Sequence, residues 1–163
     1  MGQEHSVLAL VTIVVLYGGI GIMAAKGTIG VFHKILRPKS EQFFYAIVLI
    51  PIAALYLAFV AYFDAATAWR LEIAVVLTFV VIALLGIRLP VALIIGYSLH
   101  GVWDLLHELQ AHGAWSAFEP GQLSAIPLAY GVFCSVYDFY MAGYFYKQRA
   151  EWSAAWKVVT PSA

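Results

Sequence analysis

Residues 43–63 read FFYAIVLIPIAALYLAFVAYF, twenty-one positions with no charge until Asp64. A helix rises about 1.5 Å per residue, so this run alone covers roughly 32 Å, the thickness of a bilayer's hydrocarbon core. A helix that is apolar on every face belongs either to the centre of a large protein or to a membrane. At 163 residues the chain is not large. Working outward from this stretch, four more segments meet the length of about 17–25 mostly apolar residues that a spanning helix needs. They run over about Ser6–Ala25, Leu71–Ile87, Pro90–Glu108 and Ala125–Tyr146. The expected fold is therefore all-α: a polytopic membrane bundle of five transmembrane helices, with spans near 6–25, 43–63, 71–87, 90–108 and 125–146. Residues 1–163 form one integral membrane domain, with no internal repeat, linker or low-complexity tract.

Composition agrees. The chain is 63% hydrophobic and 11% charged, with a mean hydropathy of +0.87, whereas ordinary globular chains are about 45–50% apolar and about 25% charged. Nine Lys+Arg balance nine Asp+Glu, leaving no basic excess to hold a phosphate backbone, so nucleic acid is not an expected partner. The single cysteine, Cys134, rules out an intrachain disulfide framework and any CxxC motif. The opening MGQEHS lacks a basic n-region, and the first span reads as an uncleaved anchor.

The basic residues set an orientation. Lys26, Lys34, Arg37 and Lys39 fall between spans one and two, Arg88 between three and four, and Lys147, Arg149 and Lys157 after five; only Arg70 is on the opposite side. The positive-inside rule then places the N-terminus outside and the C-terminus inside. The expected location is a bacterial cytoplasmic (inner) membrane. Lys147–Val159 is expected to form a short interfacial helix, with Trp152 and Trp156 at headgroup level and Trp115 and Phe118 doing the same outside.

The first three spans read as scaffold. Gly18, Gly19 and Gly21 suit close helix packing and leave homo-oligomerisation open, while Asp64, Arg70 and Glu72 read as a solvated loop with a weak surface ion pair. Chemistry concentrates in the last two spans. At about 100° per residue, His100, Asp104 and His107 share one narrow stripe of the fourth. Tyr130, Cys134, Asp138 and Met141 form a second stripe on the fifth, with Tyr137 at its edge. By depth along antiparallel helices, His100 should stand beside Cys134, Asp104 beside Tyr130, and Asp138 one turn further in, near Tyr97. An Asp at a membrane helix centre costs roughly 2.5–3.5 kcal/mol, so such groups need partners or water and mark a functional site by default.

Three roles fit these residues. His100, Asp104, His107, Asp138 and Cys134 are candidate ligands for a divalent metal such as zinc, which in catalytic sites takes three protein ligands and keeps a position for water. Asp104 and His107 would activate that water, while Tyr130 and Tyr137 donate hydrogen bonds to developing charge in a lipid or other apolar substrate. Alternatively, the same residues, extended by Glu108, relay protons in a transporter or accessory subunit, or simply hold the helices together. Neither haem nor a nucleotide is expected. For haem, His5, His33 and His112 fall in terminal or loop segments, so none lies level with His100 on another span.

The run Leu99-His100-Gly101-Val102-Trp103-Asp104-Leu105-Leu106-His107, followed by Phe133-Cys134-Ser135-Val136-Tyr137-Asp138, resembles a set of small multi-pass bacterial membrane proteins of unknown function. Their late spans pair His-x-x-Trp-Asp-x-x-His with Tyr-Asp, and the resemblance covers about Gly96–Tyr146. In architecture the chain is also similar, distantly, to the alkaline ceramidase and adiponectin-receptor hydrolases, which hold a His- and Asp-ligated zinc among helices. Those have seven spans and a His-x-x-x-His pair. Here five spans are expected, and the pair is His100-x-x-x-Asp104.

Overall fold

The computed structural model describes residues 2–113 and 115–157, without the side chains of residues 2–7, 9 and 10. Five helices follow one another: α1 (Gly2–Ile35), α2 (Pro38–Tyr62), α3 (Trp69–Gly86), α4 (Pro90–Ala111) and α5 (Tyr130–Trp156). No strand occurs among the described residues. Three of the helices are long and apolar enough to cross a membrane, over Val11–Ile35, Pro38–Tyr62 and Trp69–Gly86. The side chain of His5 lies outside the described residues.

The helices are longer than the apolar spans. No proline interrupts the chain before Pro38, so α1 continues through Lys26 and Lys34 and stops only at Ile35. Pro38 then opens α2 in the first turn, where a missing N–H costs nothing. Pro90 opens α4 in the same way. At the other end, Pro127 delays α5 until Tyr130, and Ala129 takes a left-handed backbone at φ 60° to start it. The expected interfacial helix does not exist as a separate element: α5 runs on through Lys147 to Trp156, and Val158 and Val159 lie outside the described residues. Nor does Trp152 turn its indole outward. It is fully buried against Tyr45 and Phe145.

α4 and α5 form the most extensive pairing; α2 and α3 pack together, α3 lies on α4, and α1 lies along α5. Small residues set the closest approaches. A Cβ at Gly131 would stand 2.5 Å from the Asp104 carbonyl oxygen, and one at Gly21 would stand 2.7 Å from the Phe133 carbonyl oxygen. Of Gly18, Gly19 and Gly21, then, Gly21 makes the tight contact, whereas Gly19 faces open space. Gly131→Ala is expected to wedge the α4–α5 seam and cost about 1–3 kcal/mol, the usual penalty of overpacking. Gly143→Ala, with nothing within 4 Å of its Cβ, should be neutral or slightly stabilising. Melting curves of the purified variants check the pair.

The inside and outside of α4 are inverted relative to a soluble helix. Its buried face carries His100, Asp104, His107 and Glu108. Its exposed face carries Val91, Ile95, Leu99, Val102, Leu105 and Leu109.

Candidate functional site

His100, Asp104 and Asp138 meet at the centre of the bundle, all three buried, with one potential ligand atom from each lying within 4.8 Å of the others. Two features of helix geometry bring them together. His100 and Asp104 are one turn apart on α4 and share its inner face. Asp138 comes from α5, and its backbone lies nearer the Tyr97 end, as depth counting places it. Side chains tilt toward their helix's N-terminus, and the two helices are antiparallel, so Asp138 reaches back to the level of His100. His100 Nδ1 is 2.7 Å from Asp138 Oδ2 and 3.1 Å from Asp104 Oδ2. The remaining oxygen of Asp104 accepts a 2.5 Å hydrogen bond from the Tyr56 hydroxyl of α2. Phe79 of α3 closes over the imidazole edge-on at 5.0 Å between ring centroids.

Two atoms in this cluster have no partner among the described residues: His100 Nε2 and Asp138 Oδ1. The charge is also unbalanced. With both carboxylates ionised, protonating His100 still leaves one net negative charge on a buried cluster. A second proton or a cation completes the balance.

The donor set could hold a metal ion in place of the hydrogen bonds it makes. Arms of about 2.0–2.1 Å to imidazole and carboxylate in a tetrahedral site separate the donor atoms by roughly 3.3 Å. The His100 distances, 2.7 Å and 3.1 Å, would open by roughly 0.2–0.6 Å to admit one, and the ligand atoms of all three residues lie within 4.8 Å of one another.

His107 and Cys134 lie outside this group of three. His107 turns to a second buried pair. Its Nδ1 donates to the Trp103 carbonyl at 3.0 Å, which leaves Nε2 facing Glu72 Oε1 at 2.8 Å. Since a carbonyl can only accept, Nδ1 carries a hydrogen, and one further proton lies between Nε2 and Glu72. Glu72 Oε1 also accepts the Ser124 backbone N–H at 3.1 Å, tying the loop before α5 to α3. Glu72 is thus fully buried, not part of a solvated surface pair. It occupies the first turn of α3 on the face that meets α4. Glu108 Oε2 accepts the Gly131 N–H at 2.9 Å, and its Oε1 lies 3.3 Å from His112 Nδ1.

Tyr130 packs edge-on to Tyr56 at 6.3 Å, and its hydroxyl has no partner among the described residues. The Tyr137 hydroxyl points to Thr28 of α1 at 3.4 Å, away from the cluster. Both tyrosines, with Phe133, Cys134 and Asp138 of α5 and Ile52 and Leu55 of α2, line a side cavity of about 230 Å³.

Sequence reading missed Tyr56 and Glu72. The signal for Tyr56 was a hydroxyl well inside the apolar residues 43–63, whose other two, Tyr45 and Tyr62, stand nearer the ends. For Glu72 it was a carboxylate placed inside the third apolar segment instead of beyond its end.

No curated protein and no solved structure matches the chain. A family model, a family of unknown function (DUF6010), matches residues 19–151, a stretch that contains Tyr56, Glu72, His100, Asp104, His107 and Asp138. Because that match covers most of its length, the chain belongs to this family of unknown function.

Proposed function

We propose that this is a five-span membrane enzyme, N-terminus outside, whose His100, Asp104 and Asp138 hold a divalent metal such as zinc and whose substrate is a lipid or another apolar molecule. The observation that carries the reading is a buried cluster of three donors whose ligand atoms lie within 4.8 Å of one another, with His100 Nε2 and Asp138 Oδ1 left without partners among the described residues. Five crossings are supported by the inverted faces of α4 and by its 22 residues, about 33 Å at the helical rise. α4 falls short as an apolar span only because its ionisable groups face inward. The side cavity supports an apolar substrate: its walls are Ile52, Leu55 and Phe133, and the cluster's Asp138 stands in the same lining.

The reaction class that suits the site is hydrolysis of an ester or amide. A divalent ion held by His100, Asp104 and Asp138 would lower the pKa of a water and polarise a carbonyl. Water adds its oxygen to the acyl carbon, the carbon–oxygen or carbon–nitrogen bond breaks, and a proton passes to the leaving group. Asp138, through its free Oδ1, is the base within reach, and Tyr56 holds Asp104 in place as a ligand. Tyr130 stands ready to donate from its unpartnered hydroxyl. His107 orients the outer end of the site through Glu72.

One observation favours a second reading, proton relay in a transporter. Tyr56 touches both buried pairs, through its hydroxyl to Asp104 and its ring against His107 at 4.2 Å. Metal analysis of the detergent-purified protein separates the two. About one zinc, iron or manganese per chain, lost in both His100→Ala and Asp138→Asn, is the expected result. No metal above background, and no melting shift when metal is added back, would overturn the enzyme reading in favour of relay or structural glue.

A further inference from the structure

At the other end of the bundle, away from the cluster, two cations converge on one indole. Arg88 Cζ lies 4.6 Å from the centre of the Trp156 ring and Lys39 Nζ lies 5.2 Å from it. Arg88 is in the α3–α4 turn, Lys39 in the first turn of α2 and Trp156 in the last turn of α5. The fully buried Gln42 holds the indole in place. Its Nε2 donates to the Gly86 carbonyl at 2.7 Å, and its Oε1 accepts from Trp156 Nε1 at 2.9 Å. Among the described residues no lysine or arginine pairs with a carboxylate; every ion pair uses a histidine. Bringing two like charges to one ring costs energy that the π face offsets only in part, and a nearby anion would complete the balance.

Arg88 also lines a cavity of about 500 Å³ with Ser153 of α5 and the apolar Pro90, Val91 and Ile95 of α4. The exposed apolar face of α4 continues from there through Leu99 to Val102. That track is about 16 Å long, half the thickness of a bilayer's hydrocarbon core. A soluble anion would use the cations and leave the track empty. A phospholipid uses both.

We propose that Arg88, Lys39 and Ser153 form a binding site for the phosphate headgroup of an anionic phospholipid, whose acyl chain lies along Val91, Ile95 and Leu99. The lipid acts as a clamp joining α2, α3–α4 and α5 at the end where their termini meet. Binding to the folded state alone stabilises it in proportion to occupancy.

The test compares the melting temperature of the full chain in phosphatidylcholine bilayers with that in mixed phosphatidylcholine–phosphatidylglycerol bilayers. The anionic lipid is expected to raise the wild type by about 5 °C or more, and Arg88→Gln/Lys39→Gln to lose more than half of that rise. Lys26→Gln/Lys34→Gln, which removes the same charge from exposed positions of α1, should keep it. An equal loss in both double variants overturns the site in favour of diffuse surface attraction. An equal rise from soluble glycerol phosphate added to phosphatidylcholine bilayers overturns it in favour of a free anion. Ser153→Leu blocks the cavity without touching either cation. It should lose the rise as well, and retention of the full rise there excludes the headgroup from the cavity.

Discussion

Asp104→Ala is expected to cost more than any other single change at the centre of the bundle. Asp104 faces His100 on its own helix and accepts from Tyr56 of α2, while its backbone carbonyl stands at the close approach to Gly131 of α5. Alanine leaves the Tyr56 hydroxyl without an acceptor and His100 with Asp138 alone. Two magnitudes bear on the outcome. Breaking a buried charged pair costs roughly 3–5 kcal/mol in soluble proteins. Interhelical hydrogen bonds within membranes average only about 0.6 kcal/mol, because helices apart in the bilayer find other partners. The buried carboxylate and the orphaned hydroxyl place this site between the two, at about 2–4 kcal/mol.

The companion variant separates structure from chemistry. Asp104→Asn keeps an oxygen for Tyr56 but gives up the charge, so it should recover most of the stability and still fail to hold metal. Denaturant unfolding and metal content, measured on both variants, check the result. An Asp104→Ala protein as stable as the wild type would mean that the Tyr56–Asp104 bond contributes nothing.

Glu72→Ala is expected to have the second-largest effect, and through a different channel. Glu72 Oε1 holds both His107 Nε2 and the Ser124 backbone N–H. Its removal strands a buried imidazole nitrogen and a buried backbone donor together, and each orphaned group costs about 1–3 kcal/mol. The loop between α4 and α5 then loses its tie to α3, although the Thr67 hydroxyl still donates to the Gly121 carbonyl. Expected readouts are a stability loss of about 2–4 kcal/mol and faster proteolysis between Gly113 and Ser124. Metal content should stay intact, since His107 and Glu72 stand outside the three-residue cluster. Glu72→Gln keeps an oxygen for the Ser124 N–H and should restore the loop. Loss of metal in Glu72→Ala would place His107 among the ligands after all.

Much of this was readable from the chain, for a local reason. Apolar length and helical period are properties of consecutive residues, so the all-α character follows from stretches such as 43–63, and a shared face for His100 and Asp104 follows from their spacing of four. The stripe carrying Asp138 was legible in the same way. Helix ends were less so. The chain is as willing to be helical in the lysine-bearing turns of α1 as in its apolar ones, and only a proline or a left-handed residue such as Ala129 marks a boundary.

By itself the sequence determined that the protein is a bundle of apolar helices with ionisable groups gathered on α4 and α5. Only the tertiary structure decided which groups meet. The pairs that define the two buried sites, Tyr56 with Asp104, Glu72 with His107 and Asp138 with His100, are 48, 35 and 38 residues apart. Nothing local to either member selects its partner. Selection comes from the close approach at Gly131 and Gly21, the antiparallel course of α4 and α5, and the tilt of side chains toward each helix's N-terminus. Those same constraints turn His107 away from His100 and draw Glu72 out of the loop into the core, because a buried imidazole and a buried carboxylate each cost less together than alone.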